Sequence, residues 1–187
     1  MACARWYVIQ VLGGQEGRSC TLIEAACTDT YDNQGVAVLS EVFCPRYITR
    51  RKYKGEWREV ERSLLPGYVI AVTSNASALR ERLWHVNALT KLLMFGGEFV
   101  PLRDEERAWI EENTAKGNRV IPLSIAVKDG DSVVVTEGPL KGHEAQIIRI
   151  NRRKCVATLE LNVGGKRVTT QVGLAVLSGE QVAENIG

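Results

Sequence analysis

The stretch Trp6-Tyr7-Val8-Ile9-Gln10-Val11-Leu12, with Gly13-Gly14 directly after it, decides how the chain begins to fold. Its aromatic and β-branched residues favour a buried strand, which the two glycines end. The pattern then becomes helical, because Cys20, Ile23 and Cys27 recur at the spacing of one helix face. The chain is therefore expected to open with a strand followed at once by a helix, and its two helical cysteines are expected to be core residues.

More strands and two more helices are expected before residue 115. The longest of these elements is a hairpin that pivots on Lys54-Gly55. Helix caps are expected at Ser74 or Asn75 and at Asp104, because short polar side chains accept hydrogen bonds from the first helical N–H groups. The predicted elements are a strand over 36–43, the hairpin over 46–62, a strand over 63–72, a helix from 76 to about 84, an apolar segment over 89–95, and a helix that starts at Asp104 and that Gly117 ends.

The pattern of the sequence changes after residue 114. Residues 115–124 contain glycine and proline and lack the period of a helix or a strand, which indicates a linker. Short glycine-punctuated runs with strand-like patterning follow, and they favour a small SH3-like barrel of five strands. The sequence thus predicts an α+β protein with a domain over 1–114, a linker over 115–124, a barrel domain over 125–180 and a tail over 181–187.

Composition excludes several functional classes. The 187 residues are 45% apolar and 25% charged, a balance typical of globular proteins. Charged residues interrupt every apolar stretch before it reaches the length of a membrane helix, and no signal-peptide pattern opens the chain. We therefore expect a cytoplasmic protein with no membrane partner. Five cysteines without a C-x-x-C pair and two isolated histidines predict reduced thiols and no metal, and no cofactor is expected because the dinucleotide-binding pattern is absent.

Few arrangements in the sequence support catalysis. The acidic run Asp104-Glu105-Glu106 suits the positive end of a helix dipole and needs no chemical explanation. The stretch Gly13-Gly14-x-x-Gly17 differs from the dinucleotide-binding pattern G-x-G-x-x-G, because its first two glycines are adjacent. We expect no enzyme; nucleotide binding at these glycines is the alternative, and titration with nucleotides tests it.

The predicted hairpin is strongly basic. Seven cations fall between Arg46 and Arg62, interleaved with Tyr47, Tyr53 and Trp57. Cations beside aromatic rings suit both the attraction of phosphates and the stacking of bases, so we expect this hairpin to face nucleic acid. A solvated charged face is the simpler alternative. The cations expected at the strand that enters the hairpin and at its tip are Arg46, Arg50, Arg51, Lys52 and Lys54.

The barrel carries two basic turns. One is Asn151-Arg152-Arg153-Lys154 and the other is Gly164-Gly165-Lys166-Arg167. If their strands are adjacent, the two turns lie near one another and suit a structured RNA; ordinary solubility of loops is the alternative. With Arg149, the predicted RNA-binding cations of the barrel are Arg149, Arg152, Arg153, Lys154, Lys166 and Arg167.

Two ordered sets of residues resemble the NusG family of transcription factors. Trp6-Tyr7-Val8-Ile9-Gln10, then Gly14 and Glu16 ahead of a helix, then Leu65-Pro66-Gly67-Tyr68-Val69-Ile70 are similar to the N-terminal domain of that family. Val133-Val134-Val135-Thr136-Glu137-Gly138-Pro139-Leu140-Lys141-Gly142 resembles its KOW domain. The resemblance covers most of the chain. It implies an N-terminal αβ sandwich with an antiparallel sheet, followed by a KOW barrel.

The resemblance implies a monomeric factor that rides on bacterial RNA polymerase. An apolar depression on the N-terminal domain binds the clamp helices of the β′ subunit, and the helix with Arg80 and Arg82 approaches the β subunit. The hairpin faces upstream DNA and the non-template strand. Core packing is the alternative role for Tyr7 and Trp84. The implied polymerase-binding residues are Tyr7, Gln10, Arg18, Leu65, Tyr68, Arg80, Arg82, Trp84 and Leu92.

The barrel departs from the pattern of housekeeping members. Their KOW loop offers apolar, often aromatic side chains to ribosomal protein S10 or to the terminator Rho. Here Leu140 is accompanied by Lys141, and His143 occupies a usually aromatic position. With the basic turns, this resembles specialised paralogs of the LoaP and RfaH type, which act as antiterminators, and it implies a KOW domain that binds a hairpin in leader RNA.

Two alternatives to this interpretation stay open. One is a housekeeping NusG that couples polymerase to the ribosome or to Rho. The other is a structural RNA-binding protein of the KOW type that never contacts polymerase. Under the favoured interpretation, the chain controls processive antitermination and pausing while it is bound to polymerase.

Overall fold

The computed structural model describes residues 3–86, 88, 90–163 and 165–177. Contacts among them divide the chain into two compact units. The basic hairpin belongs to the same unit as most of the predicted barrel. Of the described residues, the first unit comprises 3–45, Leu65–Arg119 and Asn162–Arg167, and the second comprises Arg46–Leu64, Val120–Leu161 and 168–177.

Strands predominate over helices in the described part of the chain. None of the described helices has the length and apolar character needed to cross a bilayer. The helices are α1 (Glu16–Cys27), α2 (Ala76–Leu83) and α3 (Asp104–Glu112), with single 3-10 turns at Glu144–Gln146 and Arg152–Lys154. The strands are β1 (Arg5–Val11), β2 (Glu41–Phe43), β3 (Arg46–Tyr53), β4 (Glu56–Ser63), β5 (Tyr68–Thr73), β6 (Thr90–Leu92), β7 (Met94–Phe95), β8 (Glu98–Phe99), β9 (Val120–Ile121), β10 (Ser124–Asp129), β11 (Ser132–Glu137), β12 (Ile147–Asn151), β13 (Val156–Val163) and β14 (Lys166–Leu177).

The first unit is built on an antiparallel sheet with the strand order β2-β5-β1-β6. Successive residues of β1 point to opposite faces of this sheet. Ile9 joins a buried cluster with Ile23 of α1 and Leu79 of α2, so this face packs on those two helices. On the other face, the ring of Trp6 meets the edge of Phe43 at 5.1 Å between centroids. The predicted opening strand and the helix after it are confirmed.

The starts of the two other helices show which residues cap them. Asn75 caps α2, because its side chain accepts a hydrogen bond from the N–H of Ala78 at 3.0 Å. The prediction of Asp104 as the cap of α3 is wrong. Asp104 is the first helical residue, and the carboxylate of Glu106 accepts a hydrogen bond from the N–H of Arg103 at 2.8 Å. This helix ends at Glu112, so Gly117 does not end it.

The strand predicted over 36–43 is wrong in length. Only β2 forms as a strand, because the residues before it close a turn and make no more than an isolated bridge between Tyr31 and Ala37 and one hydrogen bond from Ser40 to β5. The Asp32 carboxylate accepts hydrogen bonds from the N–H groups of Gln34 and Val36, at 2.9 and 3.0 Å. This local network competes with a sheet ladder for the same backbone groups. Of the apolar segment predicted over 89–95, Leu89 lies outside the described residues.

Arg119 fixes the segment that follows α3. Its guanidinium makes two hydrogen bonds to the Glu41 carboxylate, at 2.7 and 3.1 Å, and lies 5.0 and 4.9 Å from the rings of Trp6 and Phe43. The two charged side chains are only 9% and 12% exposed. Burial opposes ionisation of Glu41. The hydrogen bonds from Arg119 and from the Gly117 N–H, together with the charge of Arg119, outweigh burial and lower the pKa of Glu41.

The second unit contains a long hairpin and a five-stranded sheet. In the hairpin, β3 and β4 pair from Arg46 opposite Ser63 to Tyr53 opposite Glu56. The turn at Lys54-Gly55 has positive φ at both residues, as tight hairpin turns require. Within the predicted linker, β9 pairs in parallel with the start of β3.

The five-stranded sheet has the order β11-β10-β14-β13-β12. Its strands pair antiparallel where β10 meets β11 and where β12 meets β13, while β10 and β14 are parallel. The predicted α+β fold class, an N-terminal αβ domain followed by a small SH3-like β-barrel, is confirmed. Residues 178–180 of the predicted barrel domain and the tail 181–187 lie outside the described residues.

Candidate interaction surfaces

The residues predicted to bind polymerase are divided between the surface and the core of the first unit. Gln10 is exposed and pairs directly with Tyr68, which is half-buried. Both lie on the sheet face opposite α1 and α2. Tyr7, Leu65 and Leu92 are buried, so they support this region from within. Tyr7 and Leu92 belong to the cluster that packs on the helices, which agrees with the core alternative for Tyr7.

A buried carboxylate holds the loop between the hairpin and β5. One Glu16 oxygen accepts hydrogen bonds from the N–H of Gly67 at 2.7 Å and from the N–H of Gly14 at 3.0 Å. Burial opposes ionisation of Glu16, but these hydrogen bonds prevail and its pKa is lowered. Gly67 has a φ of +82°, a backbone conformation that residues with a Cβ atom rarely adopt. The loop that carries Leu65 and Tyr68 is therefore pinned to the start of α1.

The end of α2 forms an exposed patch of aromatic and basic residues. Trp84 follows the helix directly and is 74% exposed, so the alternative that it packs in the core is wrong. Arg80 lies one turn earlier, 5.5 Å from the Trp84 ring and 5.9 Å from the ring of Phe99. Arg82 and Arg18 are also exposed. A large exposed indole supported by an arginine is typical of a residue that anchors a protein partner.

One face of the hairpin is close to neutral. Residues directly opposite one another in an antiparallel pair share a face. On this face Arg46 forms an ion pair with Glu61 at 2.5 Å, and Arg50 forms one with Glu59 at 3.5 Å. Two of the five cations predicted to face DNA are thus matched by carboxylates of β4. Lys52 lies on the same face, opposite the exposed Trp57.

The other face of the hairpin is basic. It carries Arg51, opposite Arg58, and Arg62, opposite Tyr47, and in the part of the chain that the structure describes only Arg58 of these three arginines forms an ion pair, with Glu56 at 3.5 Å. Within the described residues, neither Arg51 nor Arg62 has a carboxylate at ion-pair distance. Tyr53 lies on this face near the tip, 54% exposed and 5.1 Å from the Arg58 guanidinium. Unpaired cations and an exposed ring therefore occur together on one side.

The first basic turn of the barrel is shaped by the residues at its two ends. The Asn151 side chain accepts a hydrogen bond from the N–H of Lys154 at 3.1 Å. Cys155 adopts the left-handed conformation with a φ of 50°, which ends the 3-10 turn. Asparagine commonly closes turns in this way. As a result, Arg152, Arg153 and Lys154 all point into solvent as exposed side chains.

The hairpin and this turn line one groove of about 550 Å³ within the second unit. Tyr47 and Thr49 form part of its wall from the hairpin, and Val156 and Gln171 from the barrel. No carboxylate lines the groove among the described residues. Its six cations are Arg50, Arg51, Lys52, Arg62, Arg153 and Lys154.

Backbone contacts hold the hairpin against the barrel. The buried hydroxyl of Thr49 lies 2.8 Å from the carbonyl oxygen of Cys155 and 3.0 Å from that of Lys154. The Thr170 hydroxyl donates to the carbonyl of Leu64. A Cβ at Gly173 would lie 1.8 Å from the carbonyl oxygen of Ile48, so only glycine allows this approach. The hairpin and the barrel thus share a close interface.

Local contacts determine the conformation of the loop that resembles the KOW domain. Gly138 has a φ of +91°, and a Cβ there would lie 2.7 Å from the Cα of Ser124. The Ser124 hydroxyl accepts a hydrogen bond from the N–H of Leu140 at 3.1 Å. Leu140 is fully buried and supports the loop, whereas Lys141 is exposed and His143 is half-buried. The loop therefore exposes the charged side chain of Lys141 and buries that of Leu140.

The two basic turns of the barrel do not lie side by side. The turn at 152–154 precedes β13 and the turn before Lys166 follows it, so they occupy opposite ends of one eight-residue strand. Lys166 and Arg167 are exposed at the far end, and Arg149 is exposed on β12.

Sequence reasoning missed the residues that join the hairpin to the barrel. Thr49 and Gly173 carry no charge or motif, and their roles come from contacts with residues more than 100 positions away in the chain. Arg62 is one of the seven hairpin cations, but it is not among the five expected to face DNA. Alternation along β4 assigns it to the face of Arg51, which is a signal available from the sequence once the hairpin register is fixed.

Comparisons with known proteins agree with both halves of the chain. The family model for transcription termination factor NusG matches residues 4–111, and the model for the KOW motif matches residues 130–161. The transcription termination/antitermination protein NusG of Campylobacter jejuni is 26% identical over 178 residues, which cover 92% of this chain and 95% of that protein. The protein of the same name from Vibrio parahaemolyticus is 24% identical over 174 residues, which cover 90% and 91%. The solved structure "Domain interaction in Thermotoga maritima NusG" matches this chain with a TM-score of 0.50 and 18% sequence identity. The match covers 91% of this chain and 93% of that one, and it shows a similarity of fold.

Proposed function

The chain belongs to the NusG family, and from that premise we propose that it is a transcription elongation factor that binds bacterial RNA polymerase and acts in processive antitermination and the control of pausing. The observation that carries this proposal is the order of the two matched models, the NusG model and then the KOW motif, along one chain. Relatives that match over nine-tenths of their length are named for termination and antitermination.

The polymerase contact is proposed for the first unit. Trp84 supplies an exposed apolar anchor for the clamp helices of the β′ subunit, and Gln10, Arg18 and Tyr68 supply polar contacts. Tyr7, Leu65 and Leu92 hold these side chains in place from the core. Arg80 and Arg82 face the β subunit from α2.

Nucleic acid is proposed as the partner of the second unit. The basic hairpin faces upstream DNA or the non-template strand, and the barrel binds leader RNA through its exposed cations. Electrostatic contacts of this kind position a protein without reading bases. The charged KOW loop, with Leu140 buried, favours the specialised antiterminator over a housekeeping member that offers apolar side chains to S10 or Rho.

The proposed mechanism needs no covalent step. A factor that contacts both β′ and β binds the closed clamp more tightly than the open clamp. It therefore shifts the population of elongation complexes toward the active form, by at most the ratio of its affinities for the two states. Leader RNA bound to the barrel adds a second attachment and raises the local concentration of the factor at the polymerase.

Capture of the full chain by a β′ clamp-helix fragment at low salt tests the polymerase contact. We expect capture by the native chain and at least tenfold weaker binding by Trp84→Ala, because exposed tryptophans often carry much of the energy of an interface. Tyr31→Ala is the matched control, since Tyr31 is also an exposed aromatic residue of the first unit. Absence of any capture of the native chain would contradict the proposal.

Transcription in vitro through a terminator tests the specialised role. With polymerase and the full chain, we expect read-through to rise when the leader RNA is present upstream of the terminator. A housekeeping factor would act equally with and without the leader. A protein that only binds RNA would change neither read-through nor pausing.

A further inference from the structure

We propose that the groove between the hairpin and the barrel is a single binding site for a single-stranded polynucleotide, and that it exists only while the two elements are docked. This inference rests on the proposed nucleic-acid role of the second unit. It goes beyond that role because it joins the hairpin and the turn at 152–154, expected to bind different nucleic acids, into one site for one strand.

The charge of the groove requires both elements. The hairpin supplies Arg51 and Arg62 without carboxylate partners among the described residues, and the barrel supplies Arg153 and Lys154. Arg50 also lines the groove but is paired with Glu59, whereas Arg46, paired with Glu61, does not line it. A phosphodiester backbone is the partner that a row of unpaired cations attracts most strongly.

The shape and the aromatic residue favour a single strand. A volume of about 550 Å³ falls within the range of cavities that hold small ligands, so a sugar-phosphate backbone fits and a duplex does not. Tyr53 lies on the same hairpin face as Arg51, two residues nearer the tip, with its ring 54% exposed. An exposed ring beside a basic groove stacks unpaired bases without regard to sequence.

Docking is held by contacts that carry no charge. The Thr49 hydroxyl hydrogen-bonds to the carbonyl of Cys155, and Gly173 lies against the carbonyl of Ile48. Disturbing these contacts moves Arg51 relative to Arg153 but removes no cation. This separates the proposal from simple attraction of nucleic acid to a basic surface, because attraction alone depends only on the number of charges.

Stoichiometry with a short oligonucleotide gives the first test. The probe is a labelled uridine oligonucleotide of about six nucleotides, near the low end of single-strand site sizes, titrated with the full chain well above the dissociation constant. We expect one oligonucleotide per chain. Two per chain would show separate hairpin and barrel sites and overturn the inference. No binding at all would contradict the nucleic-acid role of the second unit itself.

Charge variants give the second test, by fluorescence anisotropy over a range of salt concentrations. We expect Arg51→Gln and Arg153→Gln each to weaken binding at least fivefold and to lower the salt slope by about 0.7. Lys128→Gln, an exposed cation of the same unit outside the groove, is the matched control and should have little effect. A thymidine DNA oligonucleotide of the same length should bind within a few-fold of the RNA. Tighter binding of a double-stranded DNA of the same length would overturn the inference.

Docking variants give the decisive test. We expect Gly173→Ala and Thr49→Val to weaken single-strand binding at least fivefold although neither removes a charge. Gly17→Ala is the matched control, because nothing lies within 4 Å of a Cβ at Gly17. Thr49→Val keeps the shape of the side chain, so it provides the test if Gly173→Ala does not fold. Far-ultraviolet circular dichroism shows whether each variant is folded. Native affinity in a folded Thr49→Val or Gly173→Ala protein would overturn the inference.

Discussion

At the scale of single residues, the cysteine thiols differ in burial and therefore in reactivity. Cys3 is exposed, whereas burial raises the pKa of Cys20 to about 12, with neighbouring acidic groups adding to the effect. Burial also raises the pKa values of Cys27 and Cys155. Because the thiolate is the reactive form, we expect an alkylating reagent at pH 8 to modify Cys3 and to leave Cys20 largely intact. Peptide mass mapping measures this, and equal labelling of both would contradict the burial of Cys20.

A second residue-scale prediction concerns the ion pair between Glu41 and Arg119. The folded-state pKa of Glu41 is lowered, so its stabilising effect is complete above the unfolded pKa and is lost as the pH falls through the folded value. We expect Glu41→Gln to reduce the free energy of unfolding by about 2 kcal/mol at pH 7, since a hydrogen bond to a buried charge is weakened. The difference from the native chain should shrink toward pH 3.

Urea unfolding at several pH values measures that difference. Glu24→Gln is the control, because Glu24 is an exposed residue of α1. A difference between the native chain and Glu41→Gln that stays constant from pH 7 to pH 3 would show that ionisation of Glu41 does not contribute to folding.

At the scale of elements, the N-terminal cap of α2 decides how firmly the patch with Trp84 is held. Asn75→Ala removes the hydrogen bond to the Ala78 N–H, and we expect a loss of about 1 kcal/mol in the free energy of unfolding. Ser77→Ala, at an exposed position inside the same helix, should be neutral or slightly stabilising. Thermal unfolding of the three proteins checks the order, and a Ser77→Ala loss as large as that of Asn75→Ala would contradict it.

Elements with a regular pattern could be predicted from the sequence, and contacts between distant elements could not. The period of the apolar residues predicts α1, and the turn residues Lys54-Gly55 predict the hairpin. The strand over 36–43 was predicted too long, because the Asp32 turn competes for the backbone groups in a way that strand propensity does not report.

The candidate surfaces show the same division. Clusters of cations are visible in the sequence, so the sequence alone predicts Arg51 and Arg153 as nucleic-acid-binding residues. Their common groove depends on Thr49 and Gly173, whose importance arises only when residues more than 100 positions apart meet. For Trp84, a lone aromatic at the end of a helix fits both core and surface, and only its exposure separates the two.

At the scale of the whole molecule, the two units carry surfaces of different chemistry. The first unit presents Trp84 beside Arg80, a mixed patch suited to a protein partner. The second unit presents a groove with six cations and no carboxylate lining it among the described residues. If each surface serves one partner, changes on one surface should leave the other partner's binding intact.

This separation leads to the last prediction. We expect Trp84→Ala to weaken capture by the β′ clamp-helix fragment while it leaves single-strand binding unchanged, and Arg153→Gln to do the reverse. In transcription assays both variants should lose leader-dependent read-through, because the proposed activity needs attachment to polymerase and to RNA at once. Joining the two variants in one chain should reduce read-through no further than either alone. Full read-through by Arg153→Gln would show that the groove is not used during transcription. Full read-through by Trp84→Ala would show that Trp84 does not contribute to polymerase binding.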